Sequence, residues 1–187
     1  MKKIFLTFDD GPSKEYTLTL LNLLDELNVK ATFFVVGEFA KANPEIIEEE
    51  IKRGHKVCLH ANRHISSWMM TKSIFLKDMD TALETLEALG VKPSFYRPPW
   101  GMTRRFSKVE AAKRGMALIK WDVMAEDWRA TTSSETISRK ILERTFPGAI
   151  ICLHDGRGRN HAPGRTIEAL RMTLPQLIEK GYTFETL

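Results

Sequence analysis

The chain has 187 residues, 43% of them hydrophobic and 28% charged, which excludes a disordered chain and suffices for one domain with a sizeable core. Lysine and arginine number 28 against 24 acidic residues, and the resulting +4 is spread along the chain, so no nucleic-acid partner is implied. Two cysteines, Cys58 and Cys152, are too few for a disulfide framework, and each sits in an apolar run that suits a buried free thiol.

Short apolar runs alternate with amphipathic segments of helical length. Strands are predicted at Ile4–Phe8, Thr32–Val36, Lys56–His60, Ser94–Arg97, Ala117–Trp121, Ala149–His154 and Tyr182–Thr186. Helices are predicted between them at Thr17–Leu27, Pro44–Arg53, Ser73–Leu89, Ser107–Lys113, Ser133–Phe146 and Thr166–Lys180. Leu18, Leu20, Leu21, Leu24 and Leu27 mark one apolar face of the first helix. Pro44, Gly54 and Gly181 are start and stop signals, and Thr132 with Glu135 fits a capping box. This alternation predicts a parallel α/β fold closing toward a barrel. No stretch approaches the ~20 apolar residues of a membrane span. The start of the chain reaches Thr7 and Asp9 before the ~7 apolar residues of a signal peptide accumulate. The expectation is a cytoplasmic protein, or an exported one shown without its targeting segment.

In such folds active sites gather at the carboxyl ends of the strands. Asp9 and Asp10 follow the first strand as a doubled carboxylate, easier to hold if one meets a cation and the other a proton or an arginine. His60 and His64 follow the third strand at i and i+4, a spacing that lets both meet one metal. With a carboxylate from another strand end they would give three ligands and open positions for water and substrate. His55 precedes that strand and is read as structural. After the fourth strand, Pro98 and Pro99 fix an extended backbone that can aim the Trp100 amide into a cleft, and Arg97 can clamp a carboxylate. His154, at the end of a buried strand with an acid within reach, suits a general acid.

In chain order, Thr7-Phe8-Asp9-Asp10-Gly11-Pro12-Ser13, His60 with His64, Arg97-Pro98-Pro99-Trp100-Gly101, Asp127-Trp128 and Leu153-His154-Asp155-Gly156 resemble the five motifs of the polysaccharide deacetylase (NodB-homology) family, carbohydrate esterase family four. The resemblance runs from Ile4 to about Leu187 and implies a distorted (β/α) barrel with about seven parallel strands. It implies Asp10, His60 and His64 as metal ligands, Asp9 as general base, and Arg97 as the residue holding that base. Trp100 would stabilise the oxyanion, His154 would act as general acid tuned by Asp127, and Leu153 would line the acetyl pocket. One divalent ion is implied, zinc first, with cobalt, nickel and manganese suiting the same ligands.

The implied substrate is an N-acetylated aminosugar polymer or oligosaccharide, of peptidoglycan or chitin type, and a monomer is expected. A deformylase, a cyclic-amide hydrolase or a non-catalytic glycan binder are the alternatives. Trp68 and Trp128 can stack on sugar rings, although packing is the plainer expectation for at least one. Ala61 stands where the family commonly has a Ser or Thr that braces the metal loop, and Asn62 is the candidate replacement. The stretch from Arg157 to Arg165 is expected to be a solvated loop at the cleft mouth, with attraction of an anionic wall polymer as the other reading.

Overall fold

The computed structural model describes residues 2–187. Its elements are β1 (Lys2–Asp9), α1 (Thr17–Glu26), β2 (Thr32–Val35), α2 (Gly37–Ala42), α3 (Pro44–Lys52), β3 (Lys56–Leu59), α4 (Lys72–Ala88), β4 (Phe95–Tyr96), α5 (Arg105–Lys113), β5 (Ala117–Leu118), β6 (Val123–Met124), α6 (Ser134–Arg144), β7 (Ile150–His154), α7 (Ala162–Glu179) and β8 (Tyr182–Phe184). Single 3-10 turns lie at Ser67–Met69 and Pro99–Gly101.

Every strand pairing is parallel. The order β5-β4-β3-β2-β1-β7-β6 forms a curled half-barrel with helices packed around it, the expected distorted (β/α) barrel. β1 is the hub. One edge pairs with β7 from Phe5 to Asp9, while the other takes β8 at Lys2–Ile4 and β2 at Thr7–Asp9. Ile4, Leu6 and Phe8 are fully buried, and so are Thr7 and Asp9. A strand buried on both faces is what a parallel sheet requires. The apolar side chains account for the fold; the polar ones serve the site.

Several boundaries differ from expectation for identifiable reasons. The predicted strand Ala117–Trp121 stops at Leu118, and β6 forms separately after Asp122 exchanges hydrogen bonds with Ile150 through its amide and side chain. Helix α2, six residues long, was too short to show a periodic pattern. The cap of α6 is Ser133 rather than Thr132: its extended backbone lets the hydroxyl accept from the Thr136 amide. Helix α7 begins at Ala162, with Pro163 in its first turn. On α1, Leu23 is buried and Leu18 points outward. Both cysteines are buried and free, and His55 is buried with its Nδ1 accepting from the Ala31 amide. Among the described residues, no helix is long and apolar enough to cross a membrane.

One buried group works against stability. Glu50 on α3 is fully buried, and neither carboxylate oxygen has a hydrogen-bond partner. Burial, aided by the charge of Asp155, pushes its pKa well above the ordinary 4.5. The folded state therefore keeps a proton that the unfolded chain releases, so this contribution is full below pH 4.5 and declines as pH rises. Glu50→Gln, which cannot ionise, is expected to gain stability relative to the parent as pH rises from 4 to 8. Urea unfolding at the two pH values measures the difference.

Candidate functional site

β1 and β3 end side by side, and the loops that leave them bring three side chains together. His64 Nε2 lies 2.9 Å from Asp10 Oδ1, and His60 Nε2 lies 3.3 Å from the same oxygen. His60 is oriented from behind, its Nδ1 paired at 2.7 Å with the Arg97 carbonyl. That carbonyl can only accept, so Nδ1 carries the proton and the Nε2 lone pair faces the carboxylate. Asp10 Oδ1 is buried and has no hydrogen bond of good geometry. Two imidazole nitrogens converging on a carboxylate oxygen without a well-aligned hydrogen bond fit a cation between them. Burial works to raise the Asp10 pKa; with no metal present, hydrogen bonds and positive charge from protonated His60 and His64 outweigh it and hold the carboxyl below its usual range, the place a cation would take. Donor types, spacing and burial all suit a divalent metal with positions left open for other ligands.

The metal loop is under backbone strain. Asp10, Ala61, His64 and Trp100 all have positive φ, between 49° and 83°, a region that side-chain-bearing residues rarely occupy. What holds Ala61 and its neighbours is Asp78 on α4. Its carboxylate accepts the Asn62 amide at 2.9 Å and Arg63 Nε at 2.9 Å. The Ala61 and Asn62 carbonyls accept the amides of Gly37 and Glu38 at the start of α2. The brace missing at Ala61 is thus supplied from outside the loop. The Asn62 side chain contributes by packing against Gly37, where a Cβ would come within 2.5 Å of Asn62 Oδ1. Asp78 sits on the buried face of an amphipathic helix with Phe75, Met79 and Ala82, and only its being a carboxylate among apolar side chains marks it.

Asp9 points into the same space. Arg97, fully buried, donates from Nη1 to Asp9 Oδ1 at 2.7 Å and to Thr7 Oγ1 at 2.7 Å, and from Nη2 to the Lys120 carbonyl at 3.1 Å. Its guanidinium also lies 4.0 Å over the Phe34 ring. Asp9 Oδ2 remains free of Arg97 and lies 3.9 Å from His60 Nε2.

At the end of β7, His154 Nδ1 pairs with Asp127 Oδ1 at 2.8 Å, and the His154 amide donates to Asp127 Oδ2 at 2.8 Å. Thr166 Oγ1 donates to Oδ2 at 2.9 Å, so the buried Asp127 is held from three sides. Burial alone would lower the His154 pKa. The charge and hydrogen bond of Asp127, with smaller help from Asp10 and Asp9, raise it instead to about 9. A cation at Asp10 would offset part of that negative charge. The β1 and β7 loops pack closely because Gly156 has no side chain: a Cβ there would sit 2.0 Å from the Asp10 carbonyl oxygen. Asp155, packed against Gly11, has its pKa raised by burial to about 7, although Thr17 donates to it.

These groups line one cleft of about 1000 Å³ that also includes Trp100, Trp121, Trp128, Cys152 and Arg129. Trp100 packs its indole against His64, with ring centroids 4.4 Å apart. Trp100 and Trp128 are half-exposed; Trp68 is more exposed but does not line the cleft. Leu153 falls elsewhere. Strand alternation sends it fully buried into the core, while Cys152 and His154, one residue to either side, face the cleft. Arg157 and Arg159 line the cleft rather than merely standing in solvent, and Arg165 ties their loop to the Thr132 and Arg129 carbonyls at 3.0 and 2.8 Å.

The family model for polysaccharide deacetylases matches residues 1–119. A peptidoglycan-N-acetylglucosamine deacetylase of Bacillus cereus is 34% identical over 186 residues. The aligned region is 99% of this chain but 66% of that relative, and other relatives of equal identity are covered over only 38% of their length. The crystal structure of a peptidoglycan N-acetylglucosamine deacetylase in complex with 4-naphthalen-1-yl-N-oxidanyl-benzamide superposes with a TM-score of 0.94 at 33% identity, covering 100% of this chain and 86% of that one. A mutant family-four pseudoenzyme with restored enzymatic activity superposes at 0.89 with 26% identity, covering 100% and 66%.

Two outcomes test the geometry. Asp78→Ala is expected to weaken metal binding by roughly 10–100-fold while leaving the ligands in place, as measured by metal titration. Arg97→Met leaves Asp9 buried without its countercharge and is expected to lower stability by about 3–5 kcal/mol in urea unfolding.

Proposed function

This chain belongs to the polysaccharide deacetylase family, and from that premise we propose that it is a divalent-metal-dependent hydrolase that removes acetyl groups from an N-acetylated aminosugar glycan. One observation carries the reading. The Asp10–His60–His64 cluster shares one cleft with a carboxylate and an imidazole, Asp9 and His154, and each of these is fixed by its own buried partner. Such a set addresses both halves of amide hydrolysis, attack on a poor electrophile and departure of a poor leaving group.

Held at Asp10, His60 and His64, a divalent ion supplies Lewis acidity, acidifying water and polarising a carbonyl oxygen; zinc suits the ligands, as do cobalt, nickel and manganese. Asp9 Oδ2, with Oδ1 committed to Arg97, accepts the proton of the attacking water. The Trp100 amide donates to the oxygen on which charge develops, a contact of the kind worth roughly 2.7–4 kcal/mol. His154 Nε2, its other nitrogen committed to Asp127, protonates the departing sugar amine. Acetate and a free amine result. Trp128, half-exposed at the cleft, offers a face for a sugar ring.

Cleft size favours an oligosaccharide or polymer over a small formamide or cyclic amide. Arg129, Arg157 and Arg159 favour a glycan carrying carboxylates, as peptidoglycan does, over neutral chitin-type chains. The presence of both Asp9 and His154 weighs against a binder without turnover.

Asp9→Asn is expected to fold and bind metal yet lose acetate release by at least ~100-fold. Chelation should abolish release and added zinc or cobalt should restore it; full activity in excess chelator would sink the mechanism. The acid form of His154 exists below its pKa, so kcat/KM should fall as pH rises toward 9, and Asp127→Asn should move that fall to lower pH. Replacing Arg157 and Arg159 together by Ser should raise KM for peptidoglycan fragments more than for N-acetylglucosamine oligomers.

A further inference from the structure

Cys152 has no part in this chemistry, yet its thiol, on the cleft floor, donates a hydrogen bond to Asp9 Oδ2 at 3.5 Å, through a proton that a thiophilic ion would replace. Strand alternation puts Cys152 and His154 on the same side of β7, and the neighbouring end of β1 presents Asp9 to both. One ligand atom from each of Asp9, Cys152 and His154 lies within 4.8 Å of the other two. Zn–S near 2.3 Å and Zn–O near 2.0 Å, at a tetrahedral angle, place sulfur and oxygen roughly 3.5 Å apart, so the observed spacing already matches a shared ion. The remaining valences agree. Arg97 occupies only Oδ1 of Asp9, leaving Oδ2, and Asp127 occupies only Nδ1 of His154, leaving Nε2. A carboxylate behind a histidine, itself anchored by Thr166, is the arrangement that orients imidazoles toward metals.

We propose that Asp9, Cys152 and His154 form a second cation site, selective for thiophilic divalent ions such as zinc, cobalt or cadmium, whose occupancy stops turnover. The sulfur sets the selectivity, since magnesium and calcium take oxygen ligands. Loading is a ligand exchange without redox: the ion enters, the thiol and the imidazolium each release a proton to solvent, and three bonds to the ion form. It consumes both the proton acceptor and the proton donor. Asp9 Oδ2 is only 3.9 Å from His60 Nε2, so the two ions are close neighbours and their repulsion makes the second bind more weakly than the first. The site thus acts when thiophilic metal is in excess. The inhibition rests on the roles proposed for Asp9 and His154; the binding does not.

The test is a cobalt titration of the metal-free protein, followed by near-ultraviolet absorption and by acetate release. The first equivalent should restore activity with no thiolate-to-cobalt charge-transfer band. The second should add that band as activity falls. Cys152→Ser and Cys152→Ala should lose the band and weaken the second phase by at least the roughly 10–100-fold that losing an outer-shell partner costs. Cys58→Ala, which removes the other buried thiol, should keep both effects. A single equivalent bound with no thiolate band, or a band surviving in both Cys152 variants, overturns the proposal. A band that appears in protein showing no acetate release at any loading upholds the site and instead refutes the deacetylase reading.

Discussion

A guanidinium sealed from water governs this molecule. Arg97 has no solvent exposure, and an unpaired charge in that position would be prohibitive, so its surroundings must supply acceptors. They come from three strands: Thr7 and Asp9 at the end of β1, the Lys120 carbonyl after β5, and the face of Phe34 on β2. The carbonyl of the same residue fixes the His60 ring. One residue therefore orients Asp9 with its side chain and His60 with its backbone. The spacing between these two groups is set by the covalent dimensions of a single arginine.

Around that centre the loops adopt conformations that local preference alone would not choose. Left-handed backbone at a non-glycine residue costs of order 1–3 kcal/mol, and it recurs at Asp10, Ala61, His64 and Trp100. Each is held by something more rigid. Asp78 on α4 and the first amides of α2 grip the histidine loop, and Gly156 lets the β7 loop press on the Asp10 carbonyl. Secondary structure remote from the chemistry thus bears the strain that the ligand geometry demands. The exposed Trp100 ring, stacked edge-on against His64, joins this bracing to the cleft wall.

Much of this is legible in the sequence because the alternation of apolar runs and amphipathic stretches is strong, and because strand-end motifs combine residue types that have few other uses together. The parallel α/β class and the grouping of Asp9, Asp10, His60, His64, Arg97 and His154 follow from those two features, and Asp127 joins them through the family resemblance. What the sequence hides depends on neighbours distant in the chain. Asp78 is one acid among several on α4, and only the folded loop gives it a partner. Leu153, expected at the acetyl pocket, turns into the core while Cys152 faces the cleft, because one step along a strand reverses direction. Short elements such as α2 and β6 lack the length over which a period can be recognised. The arginines after His154 read as solvated loop until Arg165 anchors them beside the cleft.

The pairing of Lys2 with Tyr182 carries a consequence for how the molecule can be rebuilt. β8 lies against the beginning of β1, whereas Asp9 and Asp10 stand at its end, so Lys2 and Tyr182 share the floor of the sheet, a full strand length from the cleft. A permuted polypeptide that entered β1 from a new linker at this end would keep the same hydrogen-bond ladder. For the same reason a fluorophore or affinity handle attached at Lys2 or Tyr182 would stand at the end of the sheet remote from the cleft.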